Sequence, residues 1–122
     1  MKRIFLKLLS IAVLSALPSL AATPDWKVSI AAVGAVKINF SSAFNVTIKD
    51  AKGAPVEGAA VEVVLTMVDM DHGEFKSKAN AVKPGVYQAK PMFFMAGKWN
   101  MEVRARKGAD TLIQKFPYEV KQ

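Results

Sequence analysis

The stretch Thr66-Met67-Val68-Asp69-Met70-Asp71-His72-Gly73 gathers the side chains of this chain best suited to hold a soft metal ion. It contains the single histidine and two of the five methionines outside the initiator. Met67, Met70 and His72 fall at Met-x-x-Met-x-His spacing, where a strand-like run gives way to a glycine. A thioether is an uncharged, soft ligand that suits Cu(I), and imidazole suits copper among several metals. Met67, Met70 and His72 are therefore the candidate metal ligands, and copper, preferably Cu(I), is the expected cofactor.

Each of the three has a plainer reading beside this one. Met67 shares a face with Val61, Val63 and Leu65 by alternation, so it serves either as core packing or as a ligand. Met70 lies past the strand between two aspartates, where an apolar side chain has little to pack against. His72 sits in a polar stretch, as a ligand or as an ordinary surface imidazole. Met92 and Met95 flank Phe93-Phe94 and read first as core filling with sulfur–aromatic contact. Trp99 is expected to be the central core aromatic; its other role would be a cation–π lid over a cuprous ion. Asp69, Asp71 and Glu74 are rivals as ligands for a hard cation, but calcium takes six to eight oxygens and the segment lacks the full pattern.

The missing residues narrow the chemistry further. There is no cysteine. No disulfide can staple the domain, no lipid can be attached behind a signal, and a blue-copper site is excluded because it needs a thiolate. With one histidine and no serine partner motif, neither a nucleophile–base pair nor a three-ligand catalytic zinc site is in sight, so an enzyme is not expected. A metal-free interaction or accessory domain is the serious alternative, since fold alone implies no function.

The amino terminus has the three-part layout of a secretory signal: Lys2, Arg3 and Lys7, then the apolar run Ile4 to Leu17, then small residues around Ser19 and Ala21. Cleavage is expected after Ala21, leaving residues 22–122 as one domain in the periplasm, not membrane-spanning. The apolar run is short for a span, which needs roughly 20 residues. Removing it takes away three of the 17 basic residues and no acidic ones, lowering the formal charge from +7 to +4. Only Arg104-Ala-Arg106-Lys107 clusters among the remaining basic residues, which suits a solvated strand face better than a nucleic-acid stripe. No nucleic-acid partner is expected.

The elements that would position the motif have a period of two. Trp26 to Val33 reads as a first strand broken by Gly34, with Val36 to Phe40 continuing the run. Phe44, Val46 and Ile48 alternate with polar residues in a clearer strand. Asp50-Ala-Lys-Gly53-Ala-Pro55 is a connection. The best-defined strand runs through Val61, Val63, Leu65 and Met67, and the motif hangs from its end. Phe75 to Val82 reads as an edge strand because of Lys76 and Lys78, and Pro84-Gly85 as a turn. Val86 to Lys90 is extended until Pro91, which argues against a central strand there. Trp99, Met101, Val103 and Ala105 mark another strand, and Thr111 to Val120 the last, with Pro117 pushing it to an edge. About seven short strands and no helix after the signal predict an all-β, immunoglobulin-like β-sandwich.

Four blocks in order carry a family resemblance: Val46-Thr-Ile-Lys-Asp50-Ala-Lys-Gly53-Ala-Pro55-Val56-Glu-Gly58-Ala59, Met67-x-x-Met70-x-His72-Gly73, Pro84-Gly85-Val86-Tyr87 and Met95-Ala96-Gly97-Lys98-Trp99. Together they resemble the YtkA-like or FixH-like exported domains, and are most similar to the secreted copper-resistance determinant (CrdA-type) proteins found beside copper-efflux systems. The resemblance covers roughly Phe44 to Arg104. It implies an immunoglobulin-like sandwich and a role in copper resistance or trafficking, with components of an efflux system as partners.

Overall fold

A computed structural model describes residues 22–122; the expected signal peptide, residues 1–21, lies outside them. Seven strands follow in order: β1 (Lys27–Ala32), β2 (Phe44–Lys49), β3 (Ala60–Met67), β4 (Phe75–Lys83), β5 (Val86–Ala89), β6 (Gly97–Lys107) and β7 (Asp110–Val120). All their pairings are antiparallel, in the order β1-β2-β5-β4-β3-β6-β7. Among the described residues there is no helix, and so none long and apolar enough to cross a membrane.

The strand order becomes a sandwich through β4. Its first half pairs with β3, from Phe75 opposite Leu65 to Ala79 opposite Val61. Its second half pairs with β5 from Asn80 onward, through a register irregularity between Ala81 and Lys83. A strand that changes partners midway lets β1, β2 and β5 fold over β3, β6 and β7. This grouping of first, second, fifth and fourth strands against third, sixth and seventh is the immunoglobulin-like arrangement. Lys76 and Lys78 are exposed on the half of β4 that borders only β3, a charged edge that resists further pairing.

Alternation in the sequence decides which side chains fill the gap between the sheets. Val46 and Ile48 of β2, Val63 and Leu65 of β3, and Trp99, Met101 and Val103 of β6 are all buried in one cluster. Trp99, as expected, is at its centre. Phe93 enters from the β5–β6 connection, stacked on Tyr118 with ring centroids 5.5 Å apart. Val64 departs from simple alternation: it points to the outer face of β3 yet is 0% exposed. Its cross-strand neighbours are Lys76 and Glu102, long side chains whose stems cover apolar surface while their charges stay in water.

Two expectations change in three dimensions. Val36 to Phe40 is not strand but a turn, with Asn39 at φ 68° and Phe40 N–H bonded to Lys37 O; a left-handed residue ends the extended run there. β5 is an interior strand, paired with both β2 and β4. Pro91 is compatible with this because β5 ends at Ala89, before the proline would have to donate to a ladder. Pro117 behaves as its chemistry requires, on edge strand β7.

Candidate functional site

The β3–β4 loop, residues 68–74, is held at both ends and closed by a turn between. At its entry Val68 donates its N–H to Lys98 O at 3.0 Å, extending the β3–β6 ladder by one bond. Within it, Asp71 Oδ1 accepts the Gly73 N–H at 3.0 Å, and Gly73 takes φ 83°. A short carboxylate closing a turn onto a left-handed glycine is a local device the sequence carries by itself. At the exit, Arg104 Nη2 donates to Glu74 Oε2 at 3.1 Å.

Arg104 is the hub of the outer face of β3 and β6. Its Nε donates to Glu102, its Nη1 lies 3.7 Å from Glu62, and its Nη2 reaches Glu74. The hydrogen bond to Glu102 first, then the charges of Glu102 and Glu74, hold the guanidinium above its ordinary pKa against the opposing effect of burial. The carboxylate of Glu74 is thus committed to a cation supplied by the protein. Among the described residues no group of three or more His, Asp and Glu side chains is placed to hold a metal, and the hard-cation reading of Asp69, Asp71 and Glu74 loses its third member.

Met67 and Met70 border the same open depression of ≈ 440 Å³ on the loop, together with Asp69, Asp71 and Glu74. Met67 is half-buried against the core and is the register partner of Trp99. A Cβ at Gly97 would stand only 3.1 Å from the Met67 methyl group, so the glycine makes the space in which this thioether lies. Met70 is 52% exposed.

His72 is exposed but does not line that depression. Its ring meets Phe94 edge-on, centroids 5.3 Å apart. Phe94 in turn meets Phe75 at 5.2 Å and Trp99 at 5.2 Å. The imidazole therefore caps an aromatic column that descends from the loop to the buried indole. Trp99 itself is 0% exposed and donates Nε1–H to Met95 O at 3.1 Å; it is core, and the lid role is excluded by its burial. Phe94 is the aromatic ring nearest the histidine. Sequence reasoning missed that role, because two consecutive phenylalanines in a connection must face different ways and nothing local says which faces out.

Met92 is exposed, at a bridge opposite Ser41, and Met95 is half-buried against the core. Neither lines the depression that holds Met67 and Met70. A larger concavity of ≈ 590 Å³ lies elsewhere, on the outer face near Ala60, Lys78, Arg106 and Ile113. It carries no thioether or imidazole and suits no soft metal.

The donor types available are soft rather than hard: an exposed thioether at Met70, a half-buried one at Met67 and an imidazole at His72. The strand order and pairing define the class: an all-β, immunoglobulin-like sandwich. The family model described as YtkA-like matches residues 21–104, well over half of the chain, and the chain belongs to that family. No curated protein matches it.

Proposed function

We propose that this protein is an exported copper-binding protein that contributes to copper resistance or trafficking by holding Cu(I) on the β3–β4 loop through Met67, Met70 and His72. The observation that carries this reading is the shared depression of Met67 and Met70. Met70 borders the same open space as Met67, and core packing does not require an apolar side chain at that exposed position. In this reading His72 leaves its edge-on contact with Phe94 to join the two methionines. The openness of the depression favours passing the ion to another protein, such as a component of an efflux system, over sealing it in a store.

The test is titration of the purified protein with Cu(I) against a competing chelator, with Met70→Ala and His72→Ala in parallel. The expected result is one bound ion in the parent and weaker binding in both variants. Equal affinity in all three overturns the reading. Export is tested separately: intact-mass measurement of the periplasmic protein should give a chain starting at Ala22, and retention of residues 1–21 would contradict it.

A second reading has its own observation. His72 already has an aromatic partner in Phe94, and the loop end also exposes Val68, Phe75 and Met92. These suit a metal-free interaction domain, and equal copper affinity in the parent and both variants would favour it.

A further inference from the structure

The methionines among the described residues separate sharply by exposure. Met101 is sealed in the core at 0%; Met67 and Met95 pack partly against it; Met70 and Met92 are 52% and 48% exposed. Oxidation of a thioether to the sulfoxide needs an approach to the sulfur lone pair and converts a flexible apolar side chain into a polar one. At Met101 the product would place a polar oxygen in a closed core. At Met70 there is little packing to lose: it is exposed in the middle of a loop that is secured at Val68, at Glu74, by the Asp71–Gly73 turn and by His72 against Phe94.

Its position makes Met70 different from Met92. Met70 shares a depression with a second thioether, Met67, whereas Met92 lies apart at the Ser41 bridge. Oxidising Met70 replaces one of the two thioethers bordering this depression with a hard oxygen, which a soft monovalent ion disfavours. The fold is untouched, so the change is reversible in a way that oxidation at Met101 would not be.

We propose that Met70 is a reversible oxidation site, and that a hydroperoxide switches the loop out of soft-metal binding by converting this thioether to the sulfoxide. The proposal rests on the copper reading above. With hydrogen peroxide, the sulfur lone pair attacks one peroxide oxygen, the O–O bond breaks and an S–O bond forms. The proton on the transferred oxygen passes to the departing hydroxide, which leaves as water; sulfur is oxidised by two electrons and the peroxide is reduced by two. A thiol-dependent methionine sulfoxide reductase reverses the change.

The experiment treats the whole protein with hydrogen peroxide and follows each methionine by peptide mass mapping. Met70 and Met92 should gain oxygen well before Met67, Met95 and Met101. Loading with Ag(I), a redox-inert soft probe, should slow oxidation at Met70 and leave Met92 unaffected. In a Met92→Leu background, the Met70 sulfoxide form should bind Ag(I) more weakly by roughly tenfold or more, since even loss of a supporting partner of a metal ligand costs 10–100-fold. Reductase treatment should restore binding.

If Met70 is oxidised no faster than Met101, the proposal is overturned. It is equally overturned if the sulfoxide form binds Ag(I) as tightly as the reduced form while Met70→Ala does not, and in that case the copper reading stands. If Met70→Ala itself binds like the parent, the copper reading of this loop falls and the switch falls with it.

Discussion

Arg104 and Glu74 stand 30 positions apart in the chain, yet Nη2 of one lies 3.1 Å from Oε2 of the other. That ion pair fastens the exit of the β3–β4 loop to the outer face of β6, beside the Arg104 contacts with Glu102 and Glu62. Because Glu102 and Glu74 hold the guanidinium above its ordinary pKa, the pair gains from the folded state wherever the guanidinium is charged and the carboxylates are ionised. For the guanidinium the gain is complete below the ordinary arginine pKa and is lost only as pH rises through the raised one. Alkalinity within the physiological range therefore does not release the loop.

Arg104→Gln should loosen the loop more than the fold. Amide hydrogen exchange across Asp69 to Glu74 is expected to quicken, while β3 and β6 keep their protection. Partly exposed ion pairs are screened by salt, so high salt should reproduce part of the effect in the parent. Unchanged exchange in the variant would mean that the Asp71–Gly73 turn holds the loop unaided.

Of the three proposed ligands only His72 can take up a proton. A thioether has no proton to lose, whereas an imidazole must be neutral to ligate. Cu(I) affinity of the parent is expected to fall as the medium is acidified but not to vanish, held by Met67 and Met70. In His72→Ala most of that slope should disappear. A variant with the parent's full pH dependence would remove His72 from the ligand set.

Met101→Ala and Met70→Ala should separate packing from ligation. Met101 is wholly buried among Trp99 and Val103, and truncating such a side chain typically costs about 2–5 kcal/mol. Met70→Ala, on the exposed loop, should change unfolding free energy by no more than about 0.5 kcal/mol. Denaturant unfolding of the two variants measures both. A large loss in Met70→Ala would show that the loop packs far more than its exposure indicates.

Gly85→Ala should be the most damaging glycine change outside the loop end. Gly85 takes φ 75°, and a Cβ there would meet Pro55 Cβ at 2.6 Å and Ile48 O at 3.0 Å. Gly108 takes φ 61° with nothing within 4 Å, so Gly108→Ala reports the left-handed backbone alone, about 1–2 kcal/mol. Thermal unfolding should show a clearly larger loss for Gly85→Ala. Equal losses would mean that the Pro55 connection shifts aside freely.

Much of the fold was legible because strand chemistry is local. Alternation at Val61, Val63 and Leu65, and again at Trp99, Met101, Val103 and Ala105, assigns the buried faces without knowledge of the partner strand. Pro117 on an edge and Gly85 in a turn follow from a missing N–H and a permitted positive φ. The position of Met70 past the end of the strand was readable for the same reason.

What only the tertiary structure decided are the relationships between segments that alternation cannot align. β4 changes sheets between Ala79 and Asn80, a choice made by two different partners rather than by its own residues. Val64 is buried on an outward face because long side chains of neighbouring strands flank it. The spacing of Met67, Met70 and His72 suggested one ligand set, yet the folded loop leaves Met67 and Met70 bordering a common depression and sets His72 on Phe94. Residue types and their spacing determine which chemistry is available; the direction of each side chain in a loop depends on the surface packed beneath it, here Phe94, Phe75 and Trp99, and that surface is assembled from strands far apart in the chain.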